Sequence, residues 1–235
     1  MNELENKVVE SSKFYNDSFL KVDFKLAEYG FQTIKPFFRG NSALELGPAS
    51  GYMTKNIVNE FASVHLVEGS SQLLNQIPDY ENVIKFNSMF EDFNTDETFD
   101  TIIMSHVLEH ISDPVFVLEK IKSWLKPDGV FIVAVPNAKS IHRLAAVQME
   151  LLDSEYTLNE RDHQLGHYRV YDLNLLKEHV RQAGFDVIYS GGYFLKPVSN
   201  AQIENNWTEE MVEGFYKLGQ QFQENCAEIF LVCSN

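Results

Sequence analysis

The sequence predicts an α/β protein built on a largely parallel sheet, and two stretches carry that prediction. In Ala43 to Gly51, A-L-E-L-G-P-A-S-G, an apolar run is followed by a tight glycine turn, and Met53, Ile57, Val58 and Phe61 then recur at helical spacing. The order is strand, turn, helix. Gly47 lets the backbone leave the strand sharply, and Gly51 has no Cβ to keep a ligand or the strand at a distance. In the second stretch, Val64-His65-Leu66-Val67 ends in Glu68, a carboxylate at the carboxyl edge of a strand, where it can accept hydrogen bonds from two ribose hydroxyls. A glycine turn alone serves packing in many α/β proteins. The pair points to a nucleotide site.

The turn also says which nucleotide. A dinucleotide needs close backbone approach to its pyrophosphate at the second glycine, and no negative charge beside it. Here Ala49 stands at the second glycine position and Glu45 precedes Gly47. A carboxylate there repels phosphate but suits a cationic amino-acid end. S-adenosylmethionine has that end, with adenosine, a sulfonium and no phosphate.

E-L-G-P-A-S-G, then Glu68, then F-D-T-I-I-M-S-H-V-L-E-H-I-S-D-P (Phe99 to Pro114), then L-K-P-D-G (Leu125 to Gly129), resembles the class I S-adenosylmethionine-dependent methyltransferases. The similarity is closest to the branch that includes ubiquinone-biosynthesis and small-molecule methyltransferases, and it runs from about Ala43 to Phe185. Ala49 departs from the family's usual glycine. The resemblance implies a Rossmann-like seven-stranded, mostly parallel sheet with helices on both faces, a last strand antiparallel beside the sixth, and a helical lid insertion. It also implies S-adenosylmethionine as cofactor, leaving as S-adenosylhomocysteine. The cofactor-binding positions are then Glu45, Gly47, Pro48, Ala49, Gly51, Glu68, Gly69, Met89, Phe90, Ser105 and His106. Met89 takes the place of an acidic residue that meets adenine in the family, so packing by Met89 and the backbone N–H of Phe90 would replace it.

Composition sets the outer bounds. A chain of 235 residues, 44% hydrophobic, can bury one α/β domain with a lid. The expected division is 1–40 as an N-terminal helical lid, 41–135 as the cofactor-binding half, 136–171 as a substrate lid and 172–235 as the rest of the sheet. A net charge of −15 argues against nucleic acid or an anionic membrane surface as partner. Only Cys226 and Cys233 are present, read as buried thiols in a reducing cytoplasm, and there is no basic-apolar leader or membrane-length apolar run. The expectation is a cytoplasmic enzyme.

In chain order, Leu20, Phe24, Ala27, Phe31 and Ile34 predict an amphipathic helix that ends at Pro36. Tyr15, ahead of it, is either the aromatic hydroxyl that closes the cofactor site in similar enzymes or a capping or surface residue. Val83 to Phe86 reads as the third strand, Asp100 to Met104 as the fourth and Val130 to Val135 as the fifth, doubly buried one. Asp113-Pro114 caps the helix that carries Val117, Leu118, Ile121 and Trp124. Ile141, Leu144, Ala145, Gln148 and Leu152 predict a helix in the insertion. Asp172 caps the helix of Leu176 and Val180, Phe185 to Tyr189 is a strand, and Gly191-Gly192 marks a loop. Thr208 caps a last helix with Met211, Phe215, Leu218 and Phe222 inward, and Ile229 to Cys233 closes the sheet.

Methyl transfer is an in-line displacement at the sulfonium methyl and needs no protein nucleophile and no metal. Alignment alone can contribute on the order of 7 to 11 kcal/mol. A hydroxyl or amine acceptor needs a base, for which His106, His163 and His167 are candidates, with Tyr15 closing the site. A carboxylate acceptor needs only a cation such as Arg143. Each histidine, like His110 and Arg169, can equally be a structural residue that holds backbone. The leading expectation is O-methylation of a small molecule or peptide carboxylate, and N-methylation of an amine or amino sugar is next. A nicotinamide-dependent oxidoreductase and a non-catalytic binding protein are the alternatives, disfavoured by Glu45 with Ala49 and by intact Gly47, Gly51 and Glu68, respectively.

Overall fold

A computed structural model describes residues 20–235, so Tyr15 lies outside the described residues. Strands β1 (Ser42–Leu46), β2 (Ser63–Glu68), β3 (Val83–Asn87), β4 (Phe99–Ser105), β5 (Leu125–Pro136), β6 (Asp186–Tyr193) and β7 (Glu228–Ser234) form one sheet in the order β3-β2-β1-β4-β5-β7-β6. The first five pair in parallel, and β7 runs antiparallel between β5 and β6. Strand order reverses between β1 and β4, so the connections leaving their carboxyl ends diverge and open a crevice there.

Both faces of the sheet are covered. Leu44, Leu46, Ile102, Met104, Phe131 and Val133 pack on one side with α4 (Pro114–Trp124) and α7 (Leu173–Gln182). Ala43, Ile103, Ile132 and Ala134 pack on the other with α1 (Lys21–Ile34). Unbroken apolar runs therefore have a partner on each side. By the same alternation Glu45 shares the α1 face with Ala43. The caps read from sequence close as expected, with Asp113, Asp172 and Thr208 accepting from the N–H of Phe116, Leu175 and Met211.

Long-range packing changes three assignments. In α1 the buried residues are Val22, Leu26, Tyr29, Gly30, Phe31 and Ile34, while Phe24 is exposed. The face is turned because Tyr29 stacks on Tyr216 at 3.9 Å and donates to Glu213 at 2.8 Å. In α9 (Glu209–Gly219) the inward residues are Val212, Phe215, Tyr216 and Gly219, and Met211 and Phe222 are exposed. Gly191 and Gly192 lie inside β6 instead of a loop, paired with Phe230 and Ile229 of β7, and a Cβ on Gly192 would sit 2.2 Å from the Gln223 carbonyl oxygen. No helix among the described residues is long and apolar enough to cross a membrane.

The turn after β1 places three successive odd-numbered residues in the left-handed region, with φ of 70° at Gly47, 49° at Ala49 and 82° at Gly51. A Cβ on Gly47 would stand 2.3 Å from Val107 Cγ2. Gly47→Ala should therefore lower stability by about 2–4 kcal/mol, the sum of left-handed strain and overpacking. Ala49→Gly should stay within about 1 kcal/mol of the parent, since relieved strain offsets the added freedom of the unfolded chain. Urea denaturation of both variants checks the contrast, and equal destabilisation would contradict it.

Candidate active site

At the carboxyl ends of β1 and β4 lies a cavity of about 560 Å³. Its floor is the β1 turn with Ser105 and His106, and its walls come from α1, from α5 (Ile141–Gln148), from α6 (Glu160–Leu165) and from Ala227 and Glu228 where β7 begins. Glu45, Gly47, Pro48, Ala49, Ser105, His106, Arg143 and His167 all line it, so the structure brings those sequence candidates together. Gly51, Glu68, Gly69, Met89, Phe90 and His163 do not line it.

Glu45 is 4% exposed and accepts a hydrogen bond from Thr54 Oγ1 at 2.7 Å. Burial raises its pKa from the ordinary carboxylate value to about 7. Glu68, at the carboxyl end of the neighbouring strand, accepts from the backbone N–H of Ser70 at 2.8 Å and of Ala49 at 3.2 Å. Burial raises its pKa too, against those hydrogen bonds. Its carboxylate thereby braces the turn at Ala49, where alanine stands at the second glycine position.

His106 follows β4 with φ 56°, a left-handed conformation that needs support from its surroundings. Its backbone N–H donates to the Ala134 carbonyl at 2.9 Å. Its ring lies between two carboxylates, with Nδ1 at 3.8 Å from Glu109 Oε1 and Nε2 at 3.5 Å from Glu228 Oε2. Both carboxylates are buried, and Oε2 of each has no hydrogen-bond partner. Tyr193 stands beside Ser105 with its hydroxyl pKa pushed far up by burial, and Lys196 donates to Asn200 Oδ1 at 2.8 Å with its ammonium pKa lowered by burial.

Segment 136–171 places two of the sequence candidates differently. Arg143, the buried residue of α5, donates to the carbonyls of Glu155 and Thr157 and to Asp162 Oδ2 at 3.2 Å. Those partners take one donor from each guanidinium nitrogen, so Arg143 fastens the segment while it lines the cavity. His163 is exposed on α6, turned away from the cavity. Its neighbour in sequence, His167, follows the left-handed Gly166 and faces Asp162 Oδ1 through Nδ1 at 3.1 Å. Arg169 holds the carbonyls of Leu108, Ile111 and Ser112, the structural role expected of it.

Sequence reading missed Glu109, Glu228, Tyr193 and Lys196 as site residues. Glu228 had a signal, since a carboxylate opening the apolar run Ile229 to Cys233 must be buried with it. Glu109 and His110 share a 3-10 turn (Leu108–His110), and with His167 they form a group whose ligand atoms lie within 4.8 Å of one another.

Comparison with known proteins gives this geometry a family. A family model described as a methyltransferase domain matches residues 22–190. The ubiquinone biosynthesis O-methyltransferase of Actinobacillus pleuropneumoniae serotype 5b is 26% identical over 130 residues, covering 51% of this chain and 54% of that protein. The (S)-coclaurine N-methyltransferase of Thalictrum flavum subsp. glaucum is 22% identical over 177 residues, covering 72% of this chain and 43% of that protein. The chain thus spans about half the length of the curated relatives it matches. A SAM-dependent methyltransferase structure from Thermotoga maritima shares the fold with a TM-score of 0.67 at 16% identity, covering 97% of this chain and 99% of that one. With the family model spanning most of the chain, the protein belongs to the methyltransferase-domain family.

Proposed function

We propose that the chain methylates a hydroxyl oxygen of a small organic acceptor, with His106 as the base that takes the hydroxyl proton. The observation that carries this reading is the imidazole of His106 held in the cavity between Glu109 and Glu228. The acceptor oxygen attacks the sulfonium methyl carbon, the carbon–sulfur bond breaks with its electron pair left on S-adenosylhomocysteine, and the proton passes to His106. Two buried carboxylates beside the base would repel a carboxylate acceptor, which narrows the expectation from sequence to hydroxyl compounds. They would equally hold an amine, so N-methylation is the second reading. In the proposed arrangement Glu45 faces the amino end of the cofactor, Glu68 its ribose, and Met89 with Phe90 its adenine. The segment 136–171 covers the acceptor.

His106→Asn is a fitting variant because asparagine tolerates the left-handed backbone. It should lower kcat for a hydroxyl acceptor by about 10²–10⁴-fold and leave S-adenosylhomocysteine affinity within about twofold. An unchanged kcat would remove His106 as the base. Glu68→Ala should weaken S-adenosylhomocysteine binding by at least about tenfold in isothermal titration, the loss expected of hydrogen bonds to a charged group.

The raised pKa of Glu45 gives a pH dependence with a definite sign. Burial disfavours the charged form, so Glu45 is largely protonated below about 7 and ionised above it, and an ammonium is held only by the ionised form. Affinity for S-adenosylhomocysteine should rise about tenfold from pH 5.5 to 7, following the ionised fraction. Glu45→Gln should flatten that rise. A rise that persists in the variant would place the titrating group elsewhere.

A further inference from the structure

Beside His106, one turn and one loop bring together the carboxylate of Glu109 and two imidazoles, those of His110 and His167, to which the reaction above gives no part. The geometry points to a binding site for a divalent first-row transition-metal ion of the Zn²⁺ class. Its ligands are the carboxylate of Glu109 and one ring nitrogen each from His110 and His167, and its open positions face the acceptor cavity. One ligand atom from each residue already lies within 4.8 Å of the others. Bonds of about 2.0–2.2 Å to a tetrahedral ion would draw those atoms to about 3.4 Å apart, a contraction side-chain torsions can supply.

Three features support a metal over a packing cluster. Glu109 is 1% exposed and its Oε2 has no hydrogen-bond partner, so the carboxylate is buried without a full set of donors. Both imidazoles carry outer partners of the kind that orient metal ligands: His167 Nδ1 faces Asp162 Oδ1 at 3.1 Å, and a His110 ring nitrogen is hydrogen bonded to the Leu165 backbone carbonyl. The two segments are also fixed to each other, since the Tyr168 N–H donates to the Glu109 carbonyl at 2.9 Å and Arg169 spans the carbonyls on either side of the turn. Two neutral nitrogens and one carboxylate suit Zn²⁺, Co²⁺ or Fe²⁺ better than Mg²⁺ or Ca²⁺, which prefer oxygen.

Glu109 and His167 line the cavity, so an ion there would meet the acceptor's oxygen next to His106. Its use in catalysis rests on the hydroxyl-acceptor reading above; its binding does not. A metal-bound hydroxyl loses its proton more readily, which would ease transfer to the His106 ring.

The test strips the whole protein with a chelator and titrates it with Co²⁺, read by visible absorption, and then with Zn²⁺ as competitor. The result expected is one equivalent of Co²⁺ with the spectrum of a four- or five-coordinate ion, displaced by Zn²⁺. Glu109→Gln and His167→Ala should each weaken binding by more than tenfold, and Asp162→Asn by about 10–100-fold through its hold on His167. S-adenosylhomocysteine affinity, measured on the same samples, should stay within about twofold, which shows that each variant is folded. No stoichiometric uptake, or uptake unchanged in both ligand variants, overturns the proposal and leaves His110 and His167 as the edge-to-face pair their rings form at 4.6 Å. Metal uptake without methylation of any hydroxyl would overturn the acceptor reading alone, and hydroxyl methylation without metal uptake would overturn this one alone.

Discussion

The reversal of strand order between β1 and β4 is the constraint on which the site depends. Where the connections diverge, the turn after β1 and the segment after β4 cannot be covered by the sheet's own helices, and their polar groups must find other partners. They do so across strands: the Gly47 N–H donates to the Val67 carbonyl, the Glu68 carboxylate takes the N–H of Ala49, and the His106 N–H donates to the Ala134 carbonyl. Each of these bonds ties one loop to the neighbouring strand. The crevice stays open because its edges are fixed in this way, and α1 and the 136–171 insertion close over it from outside.

What could be read from sequence was what is decided locally. The glycine turn, the caps at Asp113, Asp172 and Thr208, and the apolar runs of the central strands depend on a few neighbouring residues. The faces of α1 and α9 do not. Tyr29 turns α1 toward Tyr216 and Glu213, which lie far along the chain, and apolar spacing within the helix carries no trace of that contact. His163 and His167 show the same limit at the site. They look alike in sequence, but α6 ends at Gly166 with φ 79°, so one stays on the outer surface and the other turns in to Asp162. For Arg143 the sequence leaves open a pin for the segment or a cation for an acceptor, because its partners are two backbone carbonyls and an aspartate that only the folded segment presents to it.

The buried acidity is the feature least explained by stability. Removing an ionised carboxylate from water costs several kcal/mol unless cations and donors replace the solvent. Glu45 and Glu68 have Thr54 and backbone N–H groups as donors, whereas Glu109 and Glu228 each keep an oxygen with no hydrogen-bond partner, and burial raises the pKa of Glu109. Arg143 cannot serve them, being held by Asp162 and by carbonyls. Apolar residues of similar volume would suit a core better. Their place beside His106 is therefore better explained by what happens there than by folding.

Charge conservation in the proposed reaction says what that is. Before transfer the positive charge sits on the sulfonium; afterwards sulfur is neutral and the acceptor has released a proton. A cation has moved from the cofactor to the base. Carboxylates close to the sulfonium would resist that movement by stabilising the starting charge, and carboxylates close to His106 favour it by stabilising the imidazolium. Glu109 and Glu228 flank the ring of His106 at 3.8 and 3.5 Å, the end where the charge arrives. Glu45 lies at the turn, where in the proposed pose it meets the amino group and not the sulfur. In the proposed reaction Glu45 and the pair Glu109 and Glu228 thus act on different charges of the same ligand system, one that persists through the reaction and one that is created by it.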